Sequence, residues 1–218
     1  MSAEPAPARL DPPVVDAAAF AAATCASASQ MADLERFRAL LTEWNERMNL
    51  VGPSALEAFW PRHAYDSAQL FELSDGAKTW ADLGAGAGFP GVILAILLKD
   101  TPGARVHLVE SMVKRAGFLN AVVAELALPA EVHNARAESL DMTVDIVTAR
   151  ACAPMPRLLQ FARPYLRRGA VGLFLKGQDI ETELAQTPKI KSYKVRLLQS
   201  RSDPSGRIVR VEGGHRGR

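Results

Sequence analysis

Long hydrophobic runs are missing from this chain. The longest uninterrupted apolar stretch, Val92 to Leu98, is far too short to cross a bilayer, so no membrane role is expected. Cysteine is scarce as well. Cys25 and Cys152 stand far apart with no metal spacing, which excludes a disulfide framework and a cysteine-built zinc site and fits a reducing, cytoplasmic setting. No metal is expected. Near the N-terminus "AAAFAAATCASA" (17 to 28) has the look of a signal-peptide core. It follows Glu4, Asp11 and Asp16 with Arg9 as the only side-chain cation, so the positive leader segment is lacking and export is not expected. Residues 1–13 read as a disordered Pro/Ala arm.

Charge of one sign is also lacking overall, with a net of +2. Its distribution is uneven: residues 162–218 carry 13 Lys/Arg against 5 Asp/Glu, a balance of +8, leaving −6 for residues 1–161. A basic C-terminal quarter suits a polyanion and equally suits an ordinary solvated surface.

What is present is a change of pattern near residue 77. Residues 31–50 put Leu34, Phe37, Leu41, Trp44 and Met48 at spacings of three or four, an amphipathic helix ended by Gly52 and Pro53. A second helical stretch runs from Ser54, a candidate N-cap with Glu57 three places on, to about Leu73, interrupted near Pro61. With the alanine-rich segment from Asp16 these make an N-terminal helical cap over residues 14–76. From Lys78, apolar runs "TWADL", "RVHLVE", "AEVHN", "VDIVTA" and "AVGLFLK" alternate with helical segments Pro90–Leu98, Met112–Leu126 and Met155–Leu166. That rhythm predicts a mostly parallel α/β sheet over residues 77–218. Two last strand-like runs, "KIKSYKVRLLQ" and "GRIVRVEG", joined by "SRSDPS", predict a closing antiparallel hairpin.

Between the first strand and its helix lies "DLGAGAGFPG". Gly84, Gly86 and Gly88 leave the backbone bare, and Pro90 presets a helix start, so free N–H groups and a positive helix end should face a ligand with an anionic group. Read literally, Gly86 to Gly91 satisfies the dinucleotide fingerprint, with Glu110 about 20 residues on as a ribose partner, and an NAD-dependent oxidoreductase is one reading. Against it, Asp82 puts a carboxylate at the mouth of the loop, where a pyrophosphate would be repelled and an ammonium welcomed. S-adenosylmethionine carries such an ammonium beside its carboxylate.

The D-x-G-x-G-x-G run resembles the first motif of Rossmann-like class I methyltransferases. The G-F-P-G version, followed by "LVESMVKRAGFLN" (108 to 120), "ARAESL" (135 to 140) and "DIVTARACAP" (145 to 154), resembles the bacterial 16S rRNA guanine-N7 methyltransferases, the glucose-inhibited division protein B family. "WNERMNLVG" (44 to 52) and "RHAYDS" (62 to 67) resemble that family's N-terminal motifs.

The resemblance implies a Rossmann-like sheet and S-adenosylmethionine as cofactor. The substrate it implies is a guanosine in the decoding region of 16S rRNA, within the small ribosomal subunit or an assembly intermediate, for a cytoplasmic and monomeric enzyme. It places Gly84, Phe89, Ala137 and Glu138 in the cofactor pocket, with Asp82, Gly86 and Gly88 in the loop and Glu110 as ribose partner. Arg150 lines the meeting point of cofactor and substrate, with a buried ion pair as its rival role.

Trp44 and Trp60 read as core, His63 as structural, and Cys152 as a small packing residue rather than the nucleophile of cytosine-C5 chemistry. The loop after the fourth strand lacks the Asp/Asn-Pro-Pro-aromatic run of amino-group methylases. Guanine N7 has no proton to lose, so no general base is expected. Lys114, Arg115, Arg62 and Arg157 are candidates for RNA contact, alongside Arg36, Arg38, Arg163, Arg167, Arg168 and the Lys189 to Arg196 cluster. A non-catalytic RNA-binding protein that keeps the fold is the third reading.

Overall fold

The computed structural model describes residues 13–188 and 190–213. Residues 1–12 of the expected arm, Lys189 of the basic cluster and residues 214–218 lie outside the described residues.

Four α-helices lead the chain: α1 (Ala17–Thr24), α2 (Ala28–Met48), α3 (Pro53–Glu57) and α4 (Tyr65–Glu72). Helix α2 starts three residues before the apolar stripe suggests. The Ser27 hydroxyl accepts from Gln30 N while the Gln30 side chain accepts from Ser27 N, a reciprocal cap that satisfies two free donors. It ends at Met48 on Asn49 in the left-handed region (φ 49°), short of Gly52 and Pro53. Gly52, not Ser54, is the N-cap of α3, because Pro53 sits at the first helical position, where its missing N–H costs nothing. The interruption near Pro61 is a π-helical segment, Phe59–Ala64, running straight into α4.

The sheet has seven strands: β1 (Thr79–Leu83), β2 (Arg105–Val109), β3 (Ala130–His133), β4 (Ile146–Arg150), β5 (Val171–Lys176), β6 (Tyr193–Gln199) and β7 (Arg207–Gly213). Their order is β3-β2-β1-β4-β5-β7-β6. The first five are mutually parallel, and β7 inserts antiparallel between β5 and β6. The hairpin therefore closes the sheet as the two apolar runs predict. Helices α5 (Gly91–Leu97), α6 (Val113–Glu125) and α7 (Met155–Arg167) fall within one residue of the predicted segments at each end. A six-residue helix, α8 (Ile180–Ala185), is an addition that the sequence pattern does not announce; only Ile180 of it is buried.

Two cores flank the sheet. On one face Phe20, Phe37, Phe59 and Trp60 from the N-terminal helices join Val92, Ile93 and Ile96 of α5 and Phe118 of α6 over Trp80, Val106 and Leu108. On the other, Leu158, Ala162 and Tyr165 of α7 cover Leu83, Val147, Ala149 and Phe174. Trp60 is buried and Trp44 partly so, its ring 5.6 Å from that of Phe118, which puts both tryptophans in the core. Strand order reverses between β1 and β4, and the crevice at their carboxyl ends is where open α/β sheets hold ligands.

Candidate functional site

The glycine loop leaves β1 at Gly84, whose φ is +73°; Gly86 and Gly88 are also left-handed, at +56° and +94°. A Cβ on Gly84 would stand 2.8 Å from Cys152 Sγ, so only glycine lets the turn after β1 lie against the turn after β4. A Cβ on Gly91 would stand 2.6 Å from Asp82 Oδ2, which brings the start of α5 directly onto β1.

The expectation that this loop offers free N–H groups to an anion is met only in part, because five of its backbone donors are already engaged. Gly84 N and Ala85 N both donate to Val109 O, and Gly88 N donates to Ala85 O. Gly86 N donates to Glu110 Oε2 at 3.0 Å, and Gly91 N, at the head of α5, donates to Asp82 Oδ2 at 2.8 Å. The protein's own carboxyl groups thus occupy two of the donors a pyrophosphate would use, at Gly86 and at the head of α5. Asp82 is also not at the mouth of the loop. It is wholly buried beneath it, with Oδ1 lacking a hydrogen-bond partner, and burial first, with the Glu110 charge adding, pushes its carboxyl up to about 7 against the Gly91 N–H.

Glu110, one residue past β2, is buried and held at both oxygens, Oε2 by Gly86 N and Oε1 by Met112 N at 2.8 Å. Its backbone is anchored too, because Glu110 N donates to His133 O and Asn134 Nδ2 donates to Glu110 O. Ala137 and Glu138 form a single 3-10 turn after β3, pinned where Tyr165 Oη donates to Ala137 O at 3.0 Å. Glu138 is exposed and faces the same corner, since its charge is felt by both Tyr165 and Cys152. Burial, then Asp82, Glu110 and Glu138, push the Cys152 thiol up, the opposite of what an activated nucleophile needs. Three carboxyl groups therefore converge on one crevice at the switch point, and such a crevice favours a cation.

The acceptor side is built differently. Phe89 is nearly buried in an aromatic cluster with Phe37 and Phe59, and His63 stacks on it with ring centroids 4.7 Å apart at 23°. The Arg150 guanidinium stands 5.9 Å from the same ring on the side of the crevice. In place of a buried ion pair, Arg150 Nη1 donates to Arg62 O at 3.0 Å, with Asp66 as the nearby favourable charge and burial pulling its pKa below the usual guanidinium value. Arg62 in turn pairs with Asp203 Oδ2 at 2.9 Å. Ser200 and Ser202, in the loop between β6 and β7, both donate to Asp66 Oδ1, and Gln69 Oε1 accepts from Arg201 N. His63 is kept neutral by burial and by Arg150 and Arg62, its pKa pushed down to about 3, and its Nδ1 is buried without a partner.

The structure thus brings Asp82, Gly84, Gly86, Gly88, Glu110, Ala137 and Glu138 around one crevice, with Phe89 and Arg150 at its edge. Sequence reasoning missed His63 as a site neighbour and the whole β6–β7 loop. The only local signal for them was the adjacency of Arg62, His63 and Asp66 in "RHAYDS".

The basic candidates are scattered. Lys114 is exposed at the start of α6, next to the exposed Met112 and Val113, and Arg115 is half-buried there. Arg157 is exposed, 5.3 Å from the Phe161 ring. Arg36 pairs with Glu43 and Glu125, and Arg38 with Glu35. Much of the C-terminal basic excess is likewise paired: Arg168 with Asp141, Lys194 with Glu212, Arg201 with Glu72, and Arg210 with Asp75 and Glu212.

Residues 30–202 match the family model described as rRNA small subunit methyltransferase G. A ribosomal RNA small subunit methyltransferase G of Caulobacter vibrioides is 62% identical over 199 residues, 91% of this chain and 92% of that protein. One from a Bradyrhizobium strain is 45% identical over 201 residues, 90% of each. Among solved structures, a SAM-dependent methyltransferase from Aquifex aeolicus has the same fold, with a TM-score of 0.54 at 16% identity, covering 80% of this chain and 97% of that one.

Proposed function

The chain belongs to the rRNA small subunit methyltransferase G family, and on that premise we propose how its site works as an S-adenosylmethionine-dependent methyltransferase acting on guanine N7 in the decoding region of 16S rRNA. The observation that carries this reading is the convergence of Asp82, Glu110 and Glu138 on the glycine crevice, with the N–H groups of Gly86 and Gly91 already taken by two of those carboxyl groups. A sulfonium ligand with an ammonium suits such a crevice; a pyrophosphate does not.

The residues fit the cofactor. The turn at Gly84 has no room for a Cβ, and the buried Asp82 Oδ1 has an unmet capacity to accept, directly below the loop. Gly84, Gly86 and Gly88 would receive the amino-acid end and Glu110 the ribose hydroxyls, through the lone pairs left by its two backbone donors. Ala137 and Glu138 would border the adenine. When bound, this cofactor supplies an electrophilic methyl group. Guanine N7 offers a lone pair and sheds no proton, so the chain supplies position and a dry surface rather than a base. His63, neutral throughout the physiological range, is consistent with that division of labour.

Arg150, held by the Arg62 carbonyl and backed by Phe89, would hold the guanine edge in line with the methyl group. Lys114, Arg115, Arg62 and Arg157 would meet phosphates around it. Residues 14–76 serve as the cap that supplies Arg62 and His63, and residues 77–218 as the cofactor domain. Among the described residues no helix is long and apolar enough to cross a membrane, and we place the enzyme in the cytoplasm, acting as a monomer on the small subunit or its precursor.

The test is methyl transfer from radiolabelled S-adenosylmethionine to 30S subunits from a strain lacking this modification. Naked 16S rRNA serves as comparison, and the product is identified by the chain cleavage specific to 7-methylguanosine. Labelling of subunits at one guanosine supports the reading. Absence of turnover despite cofactor binding would make the chain a binding protein that retains the fold.

A further inference from the structure

On the edge of the sheet away from β4, three metal-ligating side chains meet that the methyl-transfer site does not use. Parallel register sets His107 of β2 beside Glu131 of β3 and Val109 beside His133, so His107, Glu131 and His133 share one face. Among the described residues they form the one group of three with donor atoms within 4.8 Å of one another. His107 Nδ1 lies 2.9 Å from His133 Nε2, and His133 Nε2 lies 3.9 Å from Glu131 Oε1. Tetrahedral zinc holds imidazole nitrogens at about 2.0–2.1 Å and carboxylate oxygens at about 2.0–2.2 Å, which spaces donors roughly 3.4 Å apart. The two separations from His133 bracket that value and the third lies within 4.8 Å, so modest side-chain rotation would bring all three onto one ion.

We propose that His107, His133 and Glu131 form a binding site for a divalent transition-metal ion, with zinc as the chemistry that fits best and water filling the remaining position. Two imidazoles and one carboxylate are borderline donors that suit Zn2+ over Mg2+ or Ca2+. The carboxylate is already oriented for this division: Glu131 Oε2 is held by Arg105 Nη2 at 2.5 Å, which leaves Oε1 for the metal. His107 and His133 share a single hydrogen between the facing nitrogens. Binding needs that hydrogen to relocate to the outer nitrogen of its own ring, so two neutral imidazoles ligate with no net proton release. The ligands come from positions 107, 131 and 133, a spacing that only strand register reveals, and need no cysteine. Because His133 O accepts from Glu110 N, an ion there would also tie down the strand ends from which Glu110 projects.

The experiment uses the full chain without an affinity tag, cleared of metal by a chelator and titrated with ZnCl2 while melting is followed, then with CoCl2 while visible absorption is followed. One equivalent of zinc is expected to raise the melting temperature, and one of cobalt to give the absorption of a four- or five-coordinate site. His107→Asn and Glu131→Gln should each weaken binding at least about tenfold, while Cys25→Ser changes nothing. The Glu131 side chain is about half exposed, so its variant keeps the test informative should His107→Asn fail to fold. No saturable uptake by the unsubstituted chain overturns the proposal. So does uptake that survives Glu131→Gln undiminished, or uptake abolished by Cys25→Ser.

Discussion

The two sides of the crevice are held together by different kinds of bond. On the cofactor side, carboxylates bind backbone N–H groups a short way along the chain, Asp82 to Gly91 and Glu110 to Gly86 and Met112. On the acceptor side, Arg150 is positioned by the carbonyl of Arg62, and Arg62 by Asp203, across 88 residues in the first of these links. The first arrangement is buried. The second is half-exposed and depends on the hairpin loop packing back on α4. The cofactor pocket should therefore exist in the free protein, while the acceptor side is the part that substitutions loosen without emptying the pocket.

The sharpest break of this comparison is Arg150→Ala. Losing a charge-assisted contact made to the reacting base should lower turnover about ten- to a hundredfold, with the cofactor dissociation constant nearly unchanged; single-turnover kinetics beside calorimetry check it. Equal losses in both would move Arg150 to the cofactor side. Gly84→Ala probes the opposite side. Its φ of +73° costs a non-glycine residue about 1–2 kcal/mol, and the Cβ meets Cys152 Sγ, so cofactor affinity and melting temperature should fall together.

Asp203→Ala should have a smaller effect, because the Arg62 partner is about half exposed and such pairs are worth roughly 1 kcal/mol or less. We expect a several-fold rise in KM for ribosomal subunits with kcat and cofactor binding kept. A pH measurement gives the subtlest contrast. The folded-state pKa of Asp82 is raised from its ordinary value to about 7, so the stability it favours is complete below about pH 4 and is lost as pH rises toward 7. Asp82→Asn should flatten that part of the melting-temperature profile. A cationic ligand above the loop should lower the same pKa, so cofactor binding near pH 6.5 should release a fraction of a proton, visible as a buffer-dependent binding enthalpy. At saturating cofactor the rate itself should stay broad in pH.

The same contrast explains what could be read from the sequence. Strand β1 was legible residue for residue as Thr79–Leu83, and the helices of the sheet domain nearly so, because burial on both faces leaves continuous apolar runs between glycine and proline punctuation. Glu110 was legible because its distance from the loop follows from one βαβ unit. The inward turn of Asp82 was not, since nothing in "WADLGAG" says which face of β1 a side chain takes. Nor was α8, whose six residues bury only Ile180 and rest on Glu183 accepting from Met155 N and pairing with Lys176. The links from Asp203 to Arg62 and from Ser200 to Asp66 join residues more than 130 apart, beyond any periodicity.

The most direct test of a pocket built for a cation is calorimetric titration of the chain with S-adenosylmethionine and, separately, NAD, repeated on Glu110→Gln. The account predicts saturable binding of the sulfonium cofactor alone, weakened about tenfold or more when the charge on Glu110 is removed. Binding of NAD instead, or S-adenosylmethionine affinity indifferent to Glu110, would contradict it.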